Sequence, residues 1–474
     1  MKRLLLIGCL LGGFALLALG YWLGNAPVPP RPNVVFLLLD AYRGDRLGAE
    51  RNGVPVAPFL SGLAKQSVYC PNAVSPCSWT RPVMASLFTS SYVDTHQVYY
   101  SEERGNNAST TSSRLPDDFE TMAEYLTRHG YEAWAFQTNS NLHPALGFAQ
   151  GYRPDHYLYD NKANAEQIVT KSLESVQSLR EPFLLYAHFM EPHAPYVAPA
   201  AYRDRLGPRP ALSAEDQSIL QPDNQIPYLL DVDNVLMGVP PVHAFPPLSA
   251  AGQEEMKCLY DAELLYLDAQ LDRLITAIRA AHPNTLFVVL ADHGEEFWDH
   301  GGMGHGTTLY QEQIHVPLIL SSPHLAARVI QEPVNTIDVL PGIAGFLGLP
   351  PNPAWQGKDL LGSPSQPAFS RTLGDVVDWQ VDLESVVKGS MKLIRDKAHQ
   401  RAMLFDLSSD FAETKNLAES QPDVVRGLAA LLDAHGADNI RRRGSIKAQS
   451  VVLPPELIEQ MKRDGYGKKD PPAK

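Results

Sequence analysis

Cysteine is scarce in this chain: Cys9, Cys70, Cys77 and Cys258 are the only four in 474 residues, and none sits in a CxxC pair. That excludes a disulfide framework and leaves one short bridge, Cys70 to Cys77, open to an exported protein. Positive charge is in deficit as well, with a formal net charge of −13. Such a balance does not suit nucleic acid, and no nucleic-acid partner is expected. It also offers no broad attraction to an anionic substrate, so a metal would have to draw one in locally. Apolar residues are not lacking. At 44% they are ample for a buried core, and the length suffices for one large catalytic domain and a smaller one.

The N-terminus carries a topological signal. Lys2 and Arg3 precede an uncharged apolar stretch from Leu4 to Leu23, about 30 Å long as a helix. This predicts a membrane anchor with the remainder extracytoplasmic, in the periplasm or at the cell surface. Pro27, Pro29, Pro30 and Pro32 make a stiff stalk that closes the segment 1–32. The alternative is a cleaved signal peptide and a secreted product. Leu6 to Cys9 imitates a lipoprotein box, but the apolar stretch before it is too short for one.

Asn33 to Leu39 is a continuous apolar run ending at Asp40, and Leu286 to Ala291 is another ending at Asp292. Both read as central parallel strands buried on two faces. Phe183 to His188, Ala133 to Gln137 and Val316 to Leu320 are further strand candidates. Helical periodicity marks Asp118 to Arg128, Asn164 to Leu179 and Glu254 to Ala280, the last with Leu264, Leu271, Leu274 and Ile275 in one stripe. Strands alternating with helices predict an α/β fold: a doubly wound, mostly parallel sheet flanked by helices, with ligands beyond the carboxyl ends of the strands. The catalytic domain is expected over 33–362, with 206–252 as a substrate-facing insertion or lid of little periodicity. Residues 363–474 read as a small C-terminal α+β subdomain and tail, with strands in Ser385 to Leu393 and Met403 to Leu407 and a helix over Asp423 to His435.

Two segments carry chemistry. LLLDAYRGDRLG (Leu37 to Gly48) fixes one carboxylate just after a buried strand, where a metal could be held rigidly. LADHGEEFWDHGGMGHG (Leu290 to Gly306) sets Asp292 beside His293 at a strand end, followed by Glu295, His300 and His305 in a Gly-rich loop. Mixed oxygen and nitrogen donors suit Mn, Zn or Fe better than a pure calcium cage.

These two blocks resemble the metal-binding blocks of the sulfatase-like family in the alkaline phosphatase superfamily. The likeness continues, in the family's order, through HFMEPHAPY (His188 to Tyr196), YDAELLYLDAQLDRL (Tyr260 to Leu274), NTIDVLP (Asn335 to Pro341) and FDLSSDFAETKNLAE (Phe405 to Glu419). It implies the family's fold and one or two divalent ions, Mn, Zn, Mg or Ca, held by Asp40, Asp292, His293 and the nucleophile. Glu191, His193 and His305 resemble the residues that hold a second metal or the substrate's anion. The family often has a second aspartate where Ala41 stands, which weakens a calcium site with paired aspartates.

The nucleophile segment departs from the sulfatase pattern. Sulfatases oxidise a cysteine to formylglycine within C-x-P-S-R or C-x-A-x-R, and SPCSWTRPVMASLFTS (Ser75 to Ser90) admits two registers. From Cys77, Arg81 falls at the right spacing but Trp79 stands where Pro or Ala is needed. Counted back from ASLFTS, Pro82 takes that position and Thr80 the nucleophile's, with Met84 in place of the motif arginine. The second register fits better and resembles the phosphatase and phosphoglycerol-transferase relatives. A hydroxyl activated by a metal attacks phosphorus readily, whereas a plain threonine sulfate is hard to hydrolyse.

The expected catalytic residues are therefore Thr80, Arg81 and His193, with Cys77 as alternative nucleophile and Ser78 behind it. Thr80 also suits a helix N-cap, a place that favours a bound anion. Arg43 and Arg81 are candidates to grip an ester anion; His188 and His300 need no ligand role, and Asn139 reads as structural. The expected activity is hydrolysis or transfer of a sulfate or phosphate ester on a small molecule, lipid headgroup or glycan, with phosphorus favoured. The alternatives are a true sulfatase using Cys77 and an inactive member that binds an envelope glycan or lipid.

Overall fold

The computed structural model describes residues 31–99, 111–236, 243, 245–362, 367–374 and 381–464. Its main sheet has eight strands: β1 (Asn33–Leu39), β2 (Val68–Tyr69), β3 (Glu132–Gln137), β4 (Tyr157–Tyr159), β5 (Phe183–Phe189), β6 (Thr285–Ala291), β7 (Leu318–Ser321) and β8 (Arg328–Val329). Their order is β8-β2-β7-β6-β1-β5-β3-β4. The strands β6, β1, β5, β3 and β4 run parallel, and β7 turns antiparallel against β6 and β2. The predicted doubly wound, mostly parallel sheet is present. Val34 to Leu39 and Leu286 to Ala291 are essentially without exposure, as expected of strands covered on both faces.

Two helices show how the faces are covered. Phe88 of α1 (Thr80–Thr89) packs edge-on against Tyr186, and Arg279 of α3 (Ala250–Ala281) lies over Phe287. Tyr186 is in register with Phe36, and Phe287 with Val35. Neighbouring residues 35 and 36 point to opposite faces, so α1 and α3 sit on opposite sides of the sheet. On its own side α3 packs against α2 (Ala165–Val176) and against Pro58–Lys65.

Register then places the chemistry. Leu39 pairs with both Ala291 and Phe189. The next residues, Asp40 and Asp292, therefore emerge side by side at the carboxyl rim. β1 is the switch strand, with β6 on one side and β5 on the other, where doubly wound sheets hold their ligands.

A four-stranded antiparallel sheet follows in the C-terminal region: β9 (Ala368–Gly374), β10 (Val381–Lys388), β11 (Met391–Asp396) and β12 (Arg401–Asp406), covered by α4 (Pro422–Arg443). What the sequence suggests as one strand over Ser385 to Leu393 is a hairpin that turns at Gly389, whose φ is +60°. Beyond α4, Gln449–Val452 returns to pair with Thr111–Arg114, and helix Pro455–Arg463 docks Leu457 and Met461 into the main core.

Three expectations are corrected. The stretch 206–252 is not irregular: it contains helices Ala214–Ile219, opened by a Ser213/Asp216 capping box, and Pro222–Leu236. Cys70 and Cys77 are buried free thiols and form no bridge. The membrane-anchored location is not supported: among the described residues no helix is long and apolar enough to cross a membrane. Leu4 to Leu23, on which that expectation rested, and Cys9 lie outside the described residues.

Candidate active site

Asp40, Asp292 and His293 are fully buried, and one ligand atom from each lies within 4.8 Å of the others. Among the described residues this is the one group of three or more His, Cys, Asp or Glu side chains with metal-ligand spacing. His293 Nδ1 lies 2.9 Å from the Gly294 carbonyl oxygen. A carbonyl only accepts, so Nδ1 carries a proton and Nε2 is the nitrogen turned toward the acids. That nitrogen is 3.6 Å from Asp40 Oδ1, 3.4 Å from Asp292 Oδ2 and 3.2 Å from Thr80 Oγ1.

The other oxygen of each aspartate is occupied. Asp40 Oδ2 accepts from Asn139 Nδ2 at 2.6 Å and from His188 Nε2 at 2.9 Å. Asp292 Oδ1 accepts the Ala41 and His293 amides at 3.2 and 2.9 Å. Asp40 Oδ1 and Asp292 Oδ2 are buried without any hydrogen-bond partner. Two buried carboxylate oxygens without a hydrogen-bond donor would be strongly unfavourable alone. Two oxygens, one nitrogen and a hydroxyl converging on one point form a donor set that fits a divalent cation.

The backbone around these ligands is strained in their favour. Ala41, where paired-aspartate sites need an acid, has φ +59°. It is held there by its amide on Asp292 and its carbonyl on the Tyr260 hydroxyl at 2.8 Å. At Gly294 a Cβ would meet the Glu312 carbonyl oxygen at 2.1 Å, so only glycine lets the chain turn directly after His293.

Electrostatics separate the two acids. Burial alone would raise the Asp40 carboxyl, but the His188 hydrogen bond and the neighbouring histidines hold it well below the usual carboxylate range. Burial and the Asp40 charge push Asp292 up.

Thr80 is the first residue of α1, with Trp79 in the N-cap position suggested for Thr80. A helix N-terminus is a favourable end for an anion, and Thr80 at this one meets His293. Cys77 faces elsewhere: its Sγ lies 3.8 Å from Thr372 Oγ1 in β9, and burial pushes its thiol up to about 12. Ser78 Oγ is buried without a partner. The Arg81 guanidinium donates to Asn141 Oδ1 at 2.7 Å and to Ser112 Oγ. Arg43 is likewise engaged, by Asp45 and Asp299.

His305 packs against His293 with ring centroids 4.2 Å apart, and His193 against His305 at 5.0 Å. His305 donates from Nδ1 to Glu295 Oε1 at 2.8 Å, and Tyr196 holds the other oxygen at 3.2 Å. Burial and His293 push His305 down to about 4; for His193, Asp40 and Glu295 outweigh burial and push it up. Glu191 is outside the ligand group. Its Oε1 accepts the Ala165 amide at 2.8 Å and its Oε2 is buried and unpartnered.

Sequence reasoning undervalued Asn139 and His188. His188 is the last but one residue of β5 and Asn139 follows β3 by two, both at the same rim, and that position was the available signal. Helix Pro222–Leu236 packs against Met303–Gly304, beside the loop that carries His305.

A family model described as Sulfatase matches residues 32–349. The ulvan-active sulfatase of Formosa agariphila is 25% identical over 359 residues, covering 70% of this chain and 65% of its own length. The Delta 4,5-hexuronate-2-O-sulfatase of Bacteroides thetaiotaomicron is 24% identical, covering 86% of this chain and 89% of that protein. Among solved structures, the phosphonate monoester hydrolase of Agrobacterium radiobacter superimposes with a TM-score of 0.66 at 19% identity, covering 86% of this chain and 96% of that one.

Proposed function

Because the chain belongs to the sulfatase family, we propose that it is a metal-dependent hydrolase or transferase of phosphate or sulfate esters, with Thr80 as nucleophile and a phosphoester substrate favoured. The observation that carries this reading is the position of the Thr80 hydroxyl, 3.2 Å from His293 Nε2 and inside the donor set, while the Cys77 thiol is turned to Thr372. Relatives and neighbours named as sulfatases and as phosphonate monoester hydrolases bracket the same two ester classes.

Asp40, Asp292, His293 and Thr80 would hold one divalent ion, Mn or Zn by donor type. Such an ion supplies a lowered hydroxyl pKa and neutralises charge on the ester oxygens. Thr80 Oγ bonds to phosphorus as the P–O bond to the alcohol breaks, and its hydroxyl proton is released. The alcohol departs with one proton. Water, or an acceptor alcohol, then attacks phosphorus and frees Thr80. The amides at the start of α1 bind the ester's anionic oxygens. His193 would donate to them and supply the leaving alcohol's proton, while His305, its Nδ1 proton held by Glu295, would accept at Nε2.

The test is turnover of aryl phosphate, aryl phosphonate and aryl sulfate by the full-length protein with several divalent ions, after co-expression with a formylglycine-generating enzyme. Phosphoester turnover should be lost in Thr80→Ala and kept in Cys77→Ala. Sulfate turnover lost only in Cys77→Ala would overturn the threonine mechanism and favour a formylglycine sulfatase.

A further inference from the structure

We propose that Tyr186 and His188 are positioning residues that aim the metal ligand Asp40 and brace the nucleophile helix, a role that rests on reading the rim as a divalent-metal site. The two residues alternate along β5, so their side chains share the face covered by α1. The Tyr186 hydroxyl is 2.8 Å from His188 Nδ1, and His188 Nε2 is 2.9 Å from Asp40 Oδ2. All three side chains are fully buried.

The proton positions follow from the chain of contacts. A carboxylate oxygen only accepts, so His188 Nε2 carries the proton given to Asp40. The Tyr186 hydroxyl lies against the other ring nitrogen, Nδ1, so the imidazole is held at both edges. Asn139 donates to the same Asp40 oxygen at 2.6 Å. With two donors on Oδ2, rotation of the carboxylate breaks both bonds, and Oδ1 stays turned toward His293 Nε2. It is this Oδ1 that has no partner of its own.

The other half of Tyr186 has a different task. Its ring meets Phe88 edge-on at 5.2 Å and Phe36 at 6.0 Å. Phe88 lies about two turns beyond Thr80 on the same helix. One side chain thus contacts both the ligand's support, through its hydroxyl, and the nucleophile's support, through its ring. Changing the two parts separately should separate the two effects.

The experiment is calorimetric titration of Mn²⁺ into the metal-stripped full-length protein, wild type against Tyr186→Phe, His188→Gln and Tyr186→Leu, with aryl phosphate turnover at saturating Mn²⁺. Loss of an outer hydrogen bond to a metal ligand weakens affinity about 10- to 100-fold. Tyr186→Phe, which keeps the ring, should fall in that range with kcat at saturating Mn²⁺ near wild type, and His188→Gln should weaken binding at least as much. Tyr186→Leu should add a drop in kcat that Mn²⁺ does not restore. Equal Mn²⁺ affinity in wild type and Tyr186→Phe would overturn the proposal, even if the leucine variant fails to fold. A wild type that binds no divalent ion would instead overturn the metal reading on which it rests.

Discussion

Two buried polar clusters in this molecule are built on opposite plans. At the rim, Asp40 and Asp292 face His293, and among the described residues neither forms an ion pair with Lys or Arg. At the junction with the C-terminal sheet, Lys392 on β11 meets Glu413 at 2.7 Å, with both side chains wholly buried. Gln311 ties in twice there, accepting from Lys392 at 3.1 Å and donating its amide to Glu413 at 2.6 Å. Beside them His300 contacts Glu312 at 2.7 Å and the Glu413 carbonyl at 3.3 Å, stacked on Tyr310. The junction pairs its acid with a buried lysine; at the rim, among the described residues, only histidines stand beside the two acids. Buried like charges without a counter-ion are a cost to the fold unless something else brings the positive charge. The junction therefore reads as structure and the rim as a site that awaits a cation.

That contrast can be broken by one substitution in each cluster. Asp292→Asn should reduce phosphoester turnover by on the order of 10³-fold or more, since it removes a ligand whose ion stabilises developing charge by several kcal/mol. Its metal-free form should melt no lower than metal-free wild type, because a repelled carboxylate is gone. A marked loss of metal-free stability would show that the rim is structural after all. Lys392→Met should do the reverse. Removing one partner of a buried pair costs about 3–5 kcal/mol, seen as a lower denaturant midpoint, with the metal affinity of the folded fraction unchanged. If Lys392→Met instead abolished metal binding while leaving the midpoint alone, the two clusters would be one functional unit.

The two clusters also differ in how far the sequence discloses them. Asp40 and Asp292 were legible because each ends a continuous apolar run, with His293 next to the second, and parallel register forces such ends to one rim. Thr80 was legible through the spacing to ASLFTS. Lys392 and Glu413 were not: 21 residues apart on a hairpin strand and a loop, they meet residues 311 and 312 only through tertiary packing, which no local period encodes. The same holds for Arg81, whose guanidinium donates to Asn141 and Ser112. It holds too for the return of Gln449–Val452 to Thr111–Arg114. The helices in 206–252 were missed for a different reason. Their apolar stripes are short, and the Ser213/Asp216 cap that opens the first one was present but unread.

The smallest expected effect concerns the histidine that joins the two regions. His300 lies five residues before His305 and is anchored to the junction. Burial would lower it, but Glu312 and Glu413 outweigh burial and push it up to about 9. The unfolded value is about 6.5, so the folded state binds the proton more tightly. Its contribution to stability is then fully present below about pH 6.5 and is lost as pH rises through about 9. In thermal melts of the metal-free protein, the gap between wild type and His300→Gln should narrow over that interval. Taking the difference isolates His300 from Glu263 and Asp338, which burial pushes up to about 8 and about 7 and which titrate alike in both proteins. A gap independent of pH would mean that His300 is held as a neutral ring by its Tyr310 stack alone. The junction would then owe its charge balance to Lys392, and the contrast with the rim would narrow to one ion pair.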